Sequence, residues 1–250
     1  MDRVLVTGLS GLIGTAAIPG LLERYALTAL NRREVPRVQT VKADLEAGDP
    51  IEHAFAGIDT VVHLAAKITD AAGWDALHAL NVVGTRNVFE AARAQGVKRV
   101  VFASSGATVS GWEAAEPYKA IVEGRYADVP RLWELVDEDM AVRPTNLYAS
   151  TKVWGEAIGR HYAATYGLEV ICLRIGYVND ADAPADPRQF AVWLSQRDVV
   201  QALLQAIEYR PTEDFDTFFV TSRNKWGYRS LKRAQSRLGY IPQDEAEQYR

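Results

Sequence analysis

A single cysteine stands in the 250 residues, so no disulfide framework is available, and Cys172 lies in an apolar run where a small buried thiol is the ordinary meaning. The 4 histidines show no HxxxH or Cys-His ligand spacing, which leaves a metal site without support. Charge of neither sign dominates, with 28 Lys+Arg against 32 Asp+Glu, too even for a dedicated nucleic-acid binder. No apolar run approaches the roughly 20 residues that cross a bilayer. Internal repeats and low-complexity tracts are absent. The opening residues, with an acid at position 2 and three apolar residues before the first turn, do not resemble a secretory signal, and a reducing cytoplasm is the expected compartment. Ser104-Ser105-Gly106 lacks the GxSxG turn of a hydrolase nucleophile.

What is present is an ordinary globular composition, 48% hydrophobic and 24% charged, enough for one large core. Short β-branched runs alternate with longer helical patterns, which predicts a doubly wound parallel sheet, the Rossmann-like α/β class. Strands are expected over 4–6, 27–30, 38–42, 60–64, 99–103, 169–173 and 215–221. Helices are expected over 12–24, 50–55 with Asp49 as N-cap, 75–95, 147–166, 196–209 with Ser195 as N-cap, and 230–238. Pro19 should kink the first helix. Residues 1–175 then form a dinucleotide-binding domain whose sheet is completed by about 196–222, while 176–195 and 223–250 make a small substrate-binding region. The stretch 111–144 fits the alternation poorly; its Trp112, Tyr118, Tyr126 and Trp133 suit either an aromatic lid or a small local core.

Thr7-Gly8-Leu9-Ser10-Gly11-Leu12-Ile13-Gly14 follows the first strand and opens the first helix. In that setting Gly8 permits a tight turn, Gly11 lets backbone approach a pyrophosphate, Gly14 lets the helix pack closely, and the helix N-terminus offers free N–H groups to the anion. The second strand ends in Asn31-Arg32-Arg33, where an acid would bind the ribose 2′-hydroxyl of NAD. Its absence, with two cations in its place, favours NADP over NAD unless the arginines are merely solvated. Asp44-Leu45 and Leu64-Ala65-Ala66 would wall the adenine and the phosphates.

Tyr148-Ala-Ser-Thr-Lys152 places a phenol and an ammonium one helical turn apart on the same face. A neighbouring cation favours phenolate, so the pair makes a proton acceptor for an alcohol. The hydroxyl-rich strand end around Ser104 and Ser105 supplies donors nearby.

These motifs together resemble the extended short-chain dehydrogenase/reductase family, also called NAD-dependent epimerase/dehydratases, over about residues 1 to 222. The resemblance implies that Gly8, Gly11 and Gly14 bind cofactor phosphates, that Asp44 and Leu45 contact adenine, and that Tyr148 and Lys152 are the catalytic pair. It further implies cofactor contacts from Asn81, Ala103, Ser104 and Ile175, and substrate contacts from Lys67, Ser105, Gly106, Ala107, Tyr148 and Arg174. Counting back from Val109 puts the family's usual Ser/Thr at Gly106. A subgroup resembling uronate dehydrogenases uses a serine one residue earlier, which makes Ser105 the expected third catalytic residue. That subgroup follows its serine with Asn-His and ends its second strand in an acid; this chain has Gly106-Ala107 and Asn31 instead.

Only about 75 residues follow Gly176, less than a nucleotide-sugar epimerase devotes to its substrate. An oxidoreductase acting on a free sugar or sugar acid is therefore expected. The alternatives are an epimerase or dehydratase holding its NAD, and a non-catalytic NADP-sensing protein. Arg174 either pairs with a substrate carboxylate or sits in a structural ion pair. Six basic residues and no acid between 223 and 237 either draw an anion or form a solvated helix face. A homodimer through the helix carrying Tyr148 is expected by resemblance.

Overall fold

Each strand of the central sheet alternates its side chains between two separate apolar layers, as strands covered on both faces must. The computed structural model describes residues 1–250. Its strands are β1 (Arg3–Thr7), β2 (Ala26–Asn31), β3 (Gln39–Lys42), β4 (Thr60–His63), β5 (Arg99–Ser105), β6 (Glu169–Ile175) and β7 (Phe215–Val220). They form one sheet in the order β3-β2-β1-β4-β5-β6-β7, parallel throughout. The chain reverses direction across the sheet between β1 and β4, so a crevice opens beyond their carboxyl ends, where such sheets bind ligands.

The α-helices are α1 (Leu12–Arg24), α2 (Trp74–Leu77), α3 (Thr85–Ala94), α4 (Tyr118–Val122), α5 (Leu147–Tyr166), α6 (Gln189–Val192) and α7 (Gln196–Glu208). Val4 and Val6 pack with Ala17 and Leu21 of α1 and Val199 and Leu203 of α7 on one face. Leu5, between them in sequence, packs with Val88 and Phe89 of α3 and Tyr162 of α5 on the other. Cys172 is buried in this second layer, and burial pushes its thiol well above the usual range, so it is inert packing.

Several expected helices differ. Residues 50–55 form only a 3₁₀ turn, Glu52–Phe55, capped by Ile51, because the Asp49 carboxylate accepts instead from the Asp44 N–H at 2.8 Å. The expected helix over 75–95 is interrupted by a π-helical stretch, His78–Gly84. Residues 230–238 contain a π turn at Ala234–Leu238. Pro19 lies inside α1, which continues past it to Arg24. The Ser195 cap is present, its hydroxyl accepting from Asp198 N at 3.0 Å.

Residues 111–144 make a local core rather than a lid. Tyr118, Ile121 and Val136 are buried with Ala191, Val192, Phe219 and Tyr228, and Trp112 and Trp133 pack against them. The basic stretch after 223 does not act as one patch: Arg233 pairs with Asp139 at 2.5 Å and Arg237 with Asp216 at 3.2 Å, Arg223 and Lys232 are exposed, and Arg229 is buried. No helix is long and apolar enough to cross a membrane.

Candidate active site

The crevice beyond β1 and β4 is a continuous cleft of about 680 Å³, within the usual size of cofactor and ligand sites. It runs from Asn31, Arg32 and Arg33 past the glycine turn to Ser105, Tyr148 and Lys152. Gly8 has φ +71°, and a Cβ there would lie 2.7 Å from Ala65 N, so both backbone conformation and space demand glycine. At Gly14 a Cβ would come within 2.4 Å of Leu9 O; this glycine lets the first turn of α1 close onto its own loop. The amino end of α1 carries no acid and no side-chain cap, leaving its N–H groups open to an anion. The cradle fits a dinucleotide pyrophosphate.

A buried hydrogen-bonded chain holds this turn. Thr7 Oγ1 lies 2.6 Å from His63 Nδ1 and accepts from Ala65 N at 3.2 Å, and His63 Nε2 lies 3.0 Å from Thr85 Oγ1. Burial pulls the His63 pKa down to about 3, so this imidazole is neutral scaffolding. At the end of β2, Asn31 donates to Ser10 Oγ at 3.1 Å and to Arg33 O at 2.9 Å. The asparagine thus ties the second strand to the glycine loop, and Arg32 and Arg33 project at the cleft's edge.

Tyr148 and Lys152 stand on the first turns of α5. Asn146 caps that helix, accepting from Ala149 N at 2.7 Å. Asp70 reaches across to accept from Leu147 N at 3.0 Å and Tyr148 N at 2.8 Å, a brace that sequence reasoning missed because 77 residues separate it from the helix. Lys152 Nζ is buried, donates to Ala103 O at 2.7 Å and lies 5.8 Å from the centre of the Tyr148 ring. Burial lowers its pKa to about 8, with Cys172 and Glu156 pulling the other way. Burial raises the Tyr148 phenol, and a hydrogen bond with Ser105 opposes that rise. The expected lowering of the phenol by the lysine is therefore not the dominant effect in this cleft: desolvation outweighs it.

Most expected contacts line the cleft: Gly8, Ser10, Gly11, Leu12, Ile13, Gly14, Asp44, Leu45, Leu64, Ala65, Ala66, Ala103, Ser104, Ala107 and Ile175 join the residues already named. Five do not. Leu9 is wholly buried in the core beneath the turn. Asn81, turned by the π-helical stretch, exchanges hydrogen bonds with the Lys67 backbone at 2.8 and 2.9 Å and donates to Thr151 at 3.0 Å, so it braces the wall from behind. Lys67 pairs with Glu46 at 3.0 Å. Gly106 turns its carbonyl to Arg229. Arg174 forks onto Glu156 at 2.9 and 2.8 Å and lines a separate cavity, which corrects its reading as a substrate ligand in favour of the ion pair. The cleft also holds residues that sequence reasoning did not pick out, among them Glu46, Tyr177 and Arg188, and one cation of the basic stretch 223–237, Arg229. Arg188 is engaged by Glu113, at 2.7 and 2.9 Å.

A doubly wound parallel sheet with a glycine cradle at its switch point, leading to a serine, a phenol and an ammonium, defines a Rossmann-type enzyme that works with a dinucleotide. The chain belongs to the NAD dependent epimerase/dehydratase family, whose pattern it matches over residues 4–179. It is 33% identical to the L-arabinose 1-dehydrogenase (NAD(P)(+)) of Haloferax volcanii, across 98% of each chain. It is 30% identical to an NAD-dependent glucose-6-phosphate dehydrogenase of the same organism, across 100% of this chain and 96% of that one. Among solved structures, a variant uronate dehydrogenase from Agrobacterium tumefaciens complexed with NAD superimposes with a TM-score of 0.81 at 26% identity, covering 100% of this chain and 87% of the other.

Proposed function

We propose that this protein is an NAD(P)-dependent oxidoreductase that interconverts the alcohol and carbonyl forms of a small sugar or sugar acid. The observation that carries this reading is the unbroken cleft joining the glycine cradle to Ser105, Tyr148 and Lys152. The sugar dehydrogenases to which the chain is similar over nearly its whole length support it.

The loop from Gly8 to Gly14 would hold the pyrophosphate, Asp44 and Leu45 the adenine, and Lys152 the ribose next to the reacting ring. When bound, the nicotinamide supplies hydride transfer. The chain itself supplies placement and proton handling. Ser105 hydrogen-bonds the reacting oxygen, and Tyr148 exchanges the proton with it. A buried phenol stays protonated, which suits it to donate to a developing alkoxide during carbonyl reduction. In the oxidation direction the same oxygen becomes strongly acidic as hydride leaves, and the buried Lys152 ammonium keeps the phenolate formed from being stranded without a counter-charge. The test is a screen of aldoses, uronates and sugar phosphates with both coenzymes, followed at the nicotinamide absorbance band. Net coenzyme reduction is expected with at least one sugar. Sugar interconversion without an absorbance change overturns the reading in favour of an epimerase.

NADP is the preferred coenzyme in this reading. Asn31 stands where an acid would select NAD, Arg32 and Arg33 follow it directly, and the carboxylate that pairs with Arg32 is Glu46 at 4.0 Å, already closer to Lys67. Replacing both arginines by alanine is expected to raise the Kd for NADP roughly 10- to 100-fold and to leave NAD within about threefold, since charge-assisted phosphate contacts of this kind are lost only with NADP. Tighter binding of NAD by the unaltered protein overturns this preference. A homodimer belongs to the same reading: exposed Trp74, Val83 and Leu147 sit on elements that pack against one another around α5.

A further inference from the structure

Among the arginines on the cleft wall Arg229 is the buried one, and no carboxylate pairs with it; Arg33, likewise unpaired, is exposed to solvent. Arg229 is only 6% exposed, yet it lines the cleft. Its Nη2 donates to Gly106 O at 3.0 Å and to the Tyr228 hydroxyl at 3.1 Å. Its Nε is buried with no partner. A charge so placed is costly unless something supplies negative charge to it. No carboxylate of the chain pairs with it directly: Glu113, which the Tyr228 hydroxyl links to Arg229 by donating to it at 2.6 Å, spends both oxygens on its fork with Arg188.

The position of this guanidinium also accounts for Gly106. A Cβ built there would lie 2.0 Å from Arg229 Nη1 and 2.4 Å from its Cζ. Any side chain at 106 would occupy the space that Arg229 fills. Where the subgroup that this sequence resembles carries an asparagine after its serine, this chain has removed the side chain and delivered a cation from the far end of the sequence, next to Ser105.

We propose that Arg229 is a specificity-determining residue: it binds an anionic oxygen substituent of the sugar, a carboxylate or a phosphate, and makes an anionic aldose the preferred substrate. The proposal rests on the oxidoreductase reading above. Ser105 and Tyr148 fix the reacting oxygen while Arg229, hydrogen-bonded to the Gly106 carbonyl beside Ser105, takes the charged end of the same molecule. Both sources of the anion present oxygens to the guanidinium, and one hexose skeleton distinguishes them.

The experiment compares glucuronate, glucose 6-phosphate and glucose, each with NAD and NADP, in the unaltered protein, Arg229→Met and Arg229→Lys. One of the two anionic sugars is expected to exceed glucose in kcat/KM by at least about 10-fold, the lower end of what a charge-assisted contact contributes. Arg229→Met should raise the KM for that sugar about 10- to 100-fold, more than its kcat falls, reduce its kcat/KM advantage over glucose by about the same factor, and keep NAD(P) affinity unchanged. Arg229→Lys should restore part of the lost preference, since it returns the charge without the fork. Should Arg229→Met be unstable, the unaltered protein's ranking of the three sugars and the Lys variant carry the test. Equal turnover of all three sugars, turnover of glucose alone, or a variant that lowers all three alike overturns the role of Arg229 and leaves the oxidoreductase reading standing. No turnover of any sugar with either coenzyme overturns both.

Discussion

Tyr148→Phe is expected to lower kcat by about 10²- to 10⁴-fold, the range that positioned acid–base catalysis contributes, while the Kd for NAD(P) stays within about twofold. The substitution keeps the ring that packs beside Lys152 Nζ at 5.8 Å and removes only the hydroxyl. What is lost is the proton donor and acceptor that faces Ser105. Because burial raises the phenol above its ordinary value, little phenolate exists near neutrality. Oxidation by the unaltered protein should therefore speed up as pH rises toward the alkaline side, and reduction should not share that rise. The residual activity of Tyr148→Phe should lose the alkaline slope. Initial rates in both directions across pH, with coenzyme titrations monitored by tryptophan fluorescence, check the three statements together. Near-normal turnover in the variant would remove Tyr148 from the proton path.

The parts of this site that are legible in the sequence are those made by neighbours along the chain. Gly8, Gly11 and Gly14 lie within one turn and the start of one helix, and Tyr148 and Lys152 are joined by a single helical turn, so spacing alone reports their geometry. The seven strands are legible for the same reason: each is a local run with its own burial pattern. Residues whose role is set by distant partners are not. Arg229 meets Gly106 across 123 positions, and Asp70 meets α5 across 77. Nothing in either local sequence marks such a contact. The aromatic stretch 111–144 is ambiguous in sequence because a lid and a local core need the same side chains; only the packing of Tyr118 and Ile121 against Phe219 and Tyr228 separates the two. The 50–55 segment has a good helix start on paper, and is undone by Asp49 closing a loop onto Asp44. Helix propensity yields there to a competing local hydrogen bond between side chain and backbone, five residues apart.

Arg174→Met is expected to destabilise the fold by about 3–5 kcal/mol, the cost of removing one partner from a buried ion pair. Side-chain exposure is 5% for Arg174 and 10% for Glu156, so solvent does little to screen them. The guanidinium satisfies both carboxylate oxygens, with Nε on one and Nη2 on the other. Ser104 adds a hydrogen bond at 2.5 Å. Methionine would fill much of the volume beside Phe219 but leave the Glu156 carboxylate with Ser104 alone. Removing both charges, with Glu156→Leu added, should recover most of the loss, because a buried pair exchanged for packed apolar groups is often neutral. Urea unfolding and thermal melts of the two variants read this directly, with a fall in Tm of roughly 6–20 °C for the single change at this chain length. The same variants separate two arginines that look alike in sequence. Arg174→Met should cost stability with little change in kcat/KM per folded molecule, and Arg229→Met should cost affinity for an anionic sugar. A stable Arg174→Met that loses the anionic substrate would return Arg174 to the site and break the assignment of the pair as structural.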